Sequence, residues 1–116
     1  NGNSKIVFEV KDTTSLYKKV KFAFIRSDFI VKDLEIDTLQ TYPREFLDNQ
    51  YLIATAIISG NKVTLSGIYG SRKVNFFGAQ TSARDFQKVV YYKGSVEWKL
   101  LILVADKIGG EYYFED

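Results

Sequence analysis

The chain contains no cysteine, no histidine and no methionine, and a single proline, Pro43. Each absence removes something. Without Cys or His there is no zinc site of the Cys/His kinds, no thiol nucleophile and no His-based triad. Lack of Cys also leaves the redox compartment open, because such a chain is stable inside or outside the cytosol. With no Met anywhere, Asn1 is not a translation start. The polar residues 1–4, "NGNS", therefore read as a disordered leader left by removal of a signal peptide rather than as an artificial boundary. An excess of one charge is missing too. Sixteen basic against fourteen acidic side chains give a net charge of +2, without the basic stripe of a nucleic-acid-binding domain, so nucleic acid is not the expected partner.

What is present is apolar and aromatic. Of 116 residues 46% are hydrophobic, with nine Phe, eight Tyr and one Trp, which is ample for one ordered core. A chain of this length withdraws roughly 65% of its unfolded surface from water. Residues 5–116 are expected to form a single α+β domain.

Period-two alternation in "KIVFEV" predicts a first strand, with Ile6, Phe8 and Val10 on one face. "DTTSLYKKVKFAFIRSDF" predicts a helix capped by Asp12 or Thr13, with Leu16, Val20, Ala23, Phe24 and Ser27 at helical spacing. "FIVKDLEI" and "TLQTYPREF" predict two strands joined near Asp37, the second ended or edged by Pro43. The strongest local signal is "YLIATAIISGNKVTLSGIYG", where Gly60-Asn61 separates two β-rich runs and predicts a hairpin. "SRKVNFFGAQTSARDFQ" extends the sheet through Val74 to Phe77 and then becomes a loop.

Near the C-terminus, Leu100 to Ala105 is six apolar residues in a row. Ser95 before them is a good helix cap, Glu97 suits the first turn, and Lys107 precedes Gly109-Gly110 as a stop. Trp98, Leu101, Ile102, Ala105 and Ile108 recur at three and four residues and make one face, while Leu100, Leu103 and Val104 widen it, so the helix is expected to lie deep in the fold. About fourteen residues at ~1.5 Å each span only ~21 Å, short of a ~30 Å hydrocarbon layer, so the run is a buried helix and not a membrane span. "EYYFE" closes the chain as an edge strand guarded by its own acidic residues.

Three motifs invite chemistry. "GIYG", Gly67 to Gly70, has the letters of an RNA-clamping GXXG loop, but the glycines follow a strand rather than joining helices, which predicts a turn or bulge. Asp33, Glu35 and Asp37 alternate along a probable strand. Such spacing can gather carboxylates around a hard cation, although a solvated face is the simpler reading and no metal is expected. The aromatic pairs Phe76-Phe77, Tyr91-Tyr92 and Tyr112-Tyr113 would each send one ring inward and one outward from a strand. Outward Tyr rings near Arg72, Lys73, Lys88 and Lys93 suit a contact surface for protein, peptide or glycan.

The pattern "DFIVKDLEIDTLQTYPREF", then a hairpin ending "KVTLSGIYG", then "VVYYKGSVEWKLLILVADKIGGEYYF" resembles small secreted domains, often lipoproteins, of gut-type Bacteroidetes. The resemblance implies a helix-grip or TATA-binding-protein-like α+β fold, a twisted antiparallel sheet of five to six strands with two helices on one face. It also implies an extracytoplasmic location, with any membrane tether on a lipid-bearing Cys ahead of Asn1, and it supplies no catalytic residues. The expectation is a non-enzymatic accessory or binding module without cofactor, its contacts drawn from Trp98, Leu101, Phe76, Tyr91, Arg72 and Lys73. The alternative is a carrier of a small apolar ligand, with a cavity between the C-terminal helix and the sheet lined by Trp98, Leu101, Phe76 and Tyr91.

Overall fold

A computed structural model describes residues 2–71 and 86–116. Its centre is the hairpin expected at Gly60-Asn61. Strands β5 (Gln50–Ser59) and β6 (Lys62–Ser71) pair antiparallel over their full length, from Ser59↔Lys62 to Gln50↔Ser71. Gly60 takes φ 61° at the two-residue connection, a conformation that glycine adopts without steric cost and that matches the twist of the flanking strands. Alternation then divides the faces. Leu52, Ala54, Ala56, Val63 and Leu65 are buried on one side, while Thr55, Thr64 and Ser66 occupy the intervening positions.

Each long strand is flanked by two shorter segments. On one side of β5 lie β3 (Thr38–Thr41) and β4 (Arg44–Leu47); on the far side of β6 lie β1 (Lys5–Glu9) and β7 (Gln87–Lys88). With β2 (Val31–Glu35) outside β3 and β8 (Tyr112–Glu115) outside β1, the order is β2-β3-β5-β6-β1-β8, an antiparallel sheet with eight strands among the described residues. That exceeds the five to six expected, for two reasons. "TLQTYPREF" is divided into β3 and β4 because Pro43 cannot donate to the ladder, although the Tyr42 N–H still donates to Ile30 O at 2.8 Å, one step beyond the Val31↔Thr41 pair. Two-residue β7 is too short to carry a period.

Helices α1 (Leu16–Arg26) and α2 (Val96–Ile108) bury their apolar faces in the same core as Ile6, Phe8, Leu39, Leu52 and Leu65. The fold is thus α+β, two helices against an open antiparallel sheet. The start of α1 corrects the expected cap. Ser15 sits at the N-cap with φ 55° and no side-chain cap bond, Asp12 instead accepts the Thr14 N–H at 2.9 Å, and Thr13 contributes only its carbonyl, to the Leu16 N–H at 3.2 Å. The signals of α2 are all used. Ser95 Oγ accepts the Trp98 N–H at 3.1 Å, and Gly109 ends the helix at φ 84°. No helix among the described residues is long and apolar enough to cross a membrane.

Three further expectations change. Residues 2–4, read as a disordered leader, are tied into the sheet: Gly2 N–H donates to Tyr91 O (2.8 Å), Tyr91 N–H to Asn3 O (2.7 Å) and Ser4 N–H to Glu115 O (2.8 Å). "GIYG" is neither turn nor bulge, since Gly67 to Gly70 continue β6 in regular register opposite Ala54 to Tyr51. Its glycines make room. A Cβ on Gly70 would lie 2.8 Å from Phe86 Cδ1, and one on Gly67 3.1 Å from Leu52 Cδ1 on β5 and 3.4 Å from Val89 Cγ2, so the missing side chain at Gly70 above all lets the 86–89 segment settle against β6. Finally, Asp33, Glu35 and Asp37 do not share a face, because the β2–β3 register shifts between Asp33 and Glu35 and Asp37 lies in the turn after β2. Val74 to Phe77, expected to prolong the sheet, lie outside the described residues.

Candidate functional site

The N-terminal end of α2 meets the C-terminal strand at a cluster of rings. Ser95 fixes the helix start, which sets Trp98 in the first turns facing the sheet; its side chain is only 3% exposed. Tyr91 arrives from the preceding segment, held by its two backbone bonds to Gly2 and Asn3. Its ring stacks on Trp98 with centroids 5.4 Å apart and planes 18° from parallel. From β8, Phe114 presents its ring edgewise to both, at 5.2 Å from Trp98 and 5.5 Å from Tyr91. The cluster continues inward through Tyr112, 6.0 Å from Phe114, to the buried Phe8, 5.4 Å from Tyr112. Offset and edge-on rings at these separations gain about 0.5–1.5 kcal/mol per pair beyond simple burial.

A shallow groove of about 370 Å³ opens over this cluster. Tyr91, Trp98, Ile102 and Phe114 form its apolar wall, and Lys93 and Lys99 stand at its rim. Between Tyr92 and Trp98 the chain makes a tight turn in which the Ser95 N–H reaches Tyr92 O at 3.1 Å and Gly94 adopts φ 87°, a value that favours glycine. The turn sends the Tyr92 ring outward, 47% exposed. Its hydroxyl donates to Glu97 Oε1 at 3.2 Å. The negative charge of Glu97, and then that hydrogen bond, push the Tyr92 phenol above its ordinary pKa, so it remains a neutral donor. Glu97 itself is 5% exposed and lies in the first turn of α2, where the helix dipole favours an anion. Neither Lys93 nor Lys99 has an ion-pair partner among the described residues.

Of the contact residues expected from sequence, the fold brings Tyr91 and Trp98 together. Leu101 is separated from them in role: it is fully buried beneath α2, in the cluster with Val104, Ala105 and Ile108, and lines neither this groove nor the other described depressions. Phe76, Arg72 and Lys73 lie outside the described residues. Phe114, Ile102 and Lys99 were not singled out from sequence. The alternation of "EYYFE" places Tyr112 and Phe114 on one face, and Ile102 follows Trp98 by four, so both signals were present in the sequence. Tyr91-Tyr92 does divide into a half-buried and an exposed ring, but through a turn and not through strand alternation.

Elsewhere the acidic residues do not assemble a centre. Asp33 accepts the Tyr17 hydroxyl and the Lys21 ammonium, the latter at 3.1 Å, and these bonds hold its carboxyl below the ordinary range. A depression of about 400 Å³ collects Glu9, Asp12 and Glu111 with Lys11 and Lys19, yet among the described residues no three acids are placed to hold a metal ion. Lys88 lines a different depression from Lys93. No protein-family model matches the chain, and no curated protein matches it.

Proposed function

We propose that this domain is a non-enzymatic binding module, and that its partner is a peptide segment of another protein that seats an aromatic or apolar side chain beside an acidic one in the Tyr91–Trp98–Phe114 groove. In this reading it works outside the cytoplasm as an accessory domain. One observation carries the choice: half-exposed Tyr92 and partly exposed Phe114 flank a groove rimmed by two lysines without ion-pair partners. Rigid aromatic surface next to unpaired cationic groups is what a contact patch offers a partner, at little cost in side-chain entropy. The carrier reading has less support, because Leu101, Val104 and Ala105 fill the space beneath α2 where an apolar ligand would lie.

The test is selection of random peptides on the immobilised domain. Enriched sequences are expected to pair an aromatic residue with Asp or Glu, and their affinity to fall at least about tenfold in Tyr92→Ala and in Lys99→Glu. Enrichment without that pairing, or binding indifferent to both substitutions, would sink the proposal.

A further inference from the structure

The second face of the sheet carries a depression that the aromatic groove does not explain, lined by polar side chains and by apolar surface that includes Ile68. It forms where β1 begins and β7 ends, both beside β6, and has a volume of about 320 Å³, at the small end for a ligand site. Gln40, Thr55 and Ser66 form its floor. They come from the three adjacent strands β3, β5 and β6, at the positions that alternate with core-facing Leu39, Ala54, Ala56 and Leu65. Gln40 Nε2 donates to Thr55 Oγ1 at 3.4 Å. The Ser66 hydroxyl has no partner among the described residues. Gly67 adds bare backbone to the floor.

The wall supplies charge and an orphaned hydroxyl. Lys5 and Lys88 line the depression from β1 and β7. Both are exposed and neither forms an ion pair among the described residues, although Glu115 stands opposite Lys5 in the β1–β8 register. Asp116 also lines it, its carboxylate accepting from Asn3 Nδ2 at 3.0 Å. Ser4 completes the wall; the residue is 1% exposed and its Oγ is buried with no hydrogen-bond partner among the described residues. A buried hydroxyl without a partner is a rarity in folded proteins and asks for an account.

We propose that this depression is a ligand site for a sugar acid, a small ring bearing several hydroxyls and one carboxylate. Two ammonium groups that form no ion pair among the described residues offer charge-assisted hydrogen bonds to one carboxylate. Side-chain hydroxyls and an amide on the floor are the complement of sugar hydroxyls, each able to donate and accept. This site is separate from the aromatic groove, and its fate is independent of the peptide reading.

The experiment is an amide NMR titration of the intact isotope-labelled chain with D-glucuronate, beside D-glucose and acetate as the two halves of the recognition. Glucuronate is expected to shift Ser4, Ser66, Gly67 and Lys88, with glucose and acetate each at least about tenfold weaker. Lys88→Gln and Ser66→Ala are expected to weaken glucuronate at least about fivefold without moving the urea midpoint, and rising salt to weaken it in the unaltered chain. Equal binding of acetate would overturn the hydroxylated ligand, and equal binding of glucose would overturn the acid. Shifts confined to Tyr91, Trp98 and Phe114, no shifts at all, or full affinity in both variants would overturn the site.

Discussion

The Tyr91 ring lies nearly flat against the indole of Trp98, centroids 5.4 Å apart, and is one of the groups that cover this buried indole. Sequence neighbours do not create this pair; a turn at Lys93-Gly94 and a helix cap at Ser95 bring the two rings face to face. Because Trp98 is the only tryptophan, its fluorescence reports on this place alone. In Tyr91→Ala the emission is expected to move to longer wavelength in the folded protein, and the urea midpoint to drop by about 1–3 kcal/mol of stability. Unchanged emission would mean that Tyr91 does not cover the indole.

The two sides of α2 are expected to respond very differently to truncation. Leu101 is fully buried, whereas Leu103 is 39% exposed. Leu101→Ala is expected to cost about 2–5 kcal/mol, the loss of burial plus the cavity it leaves. Leu103→Ala should stay within about 1 kcal/mol. Comparable losses in chemical denaturation would show that α2 is rotated about its axis from the orientation described.

Gly70 is a packing requirement and not a flexible point. Its φ is not in the left-handed region, yet a Cβ there would meet Phe86 at 2.8 Å from the ring and 3.1 Å from Cα. Gly70→Val is expected to lift the 86–89 segment from β6 and cost about 1–3 kcal/mol. Hydrogen exchange tests this directly, since the Val89 amide that donates to Gly67 O at 2.9 Å should lose protection while that of Val63, at the hairpin end, keeps it.

Helix α1 is tied to edge strand β2 through Asp33, which accepts from Tyr17 and Lys21. Hydrogen bonding to the Asp33 carboxylate, and then burial, push the Tyr17 phenol up to about 12. A raised folded pKa contributes stability that is complete below the ordinary value near 10 and is lost as pH climbs towards 12. Asp33, with its pKa lowered, acts at the other end: its contribution is present above the ordinary carboxylate value and is lost as pH falls through the lower one. Ultraviolet titration should therefore find one tyrosine ionising near 12, and Asp33→Asn should bring it back towards 10. A Tyr17 titration that Asp33→Asn leaves in place would remove the tie as its cause.

How much of this was legible beforehand depends on the range of the interaction. The β5–β6 hairpin and α2 were readable because their determinants are local: a Gly-Asn turn between alternating runs, and a serine cap, an apolar stripe and a terminal glycine. The helix over Leu100 to Ala105 follows from spacing and length, but its depth does not: Leu101, Val104 and Ala105 are buried, whereas Leu103, expected to widen the buried face, is 39% exposed. By contrast, the backbone bonds of residues 2–4, part of the stretch read as a disordered leader, were not legible because their partners, Tyr91 and Glu115, stand about 90 to 110 residues away. The "GIYG" glycines looked like a turn because nothing in their neighbourhood announces that Phe86 needs the space above Gly70.

The sequence by itself determined the class of the fold and which residues are apolar enough to make its core, since hydrophobic period and turn chemistry act within a few positions. Only the tertiary structure decided which rings meet. Trp98, Tyr91 and Phe114 come from three separate segments, and Leu101, three residues from Trp98, faces the filled core instead. Chain pairing across the sheet also created the depression on its second face, by setting Ser4 and Lys5 beside Ser66 and Lys88. Contacts between distant segments depend on register and packing, and those are properties of the assembled sheet and helices that no single stretch of the chain contains.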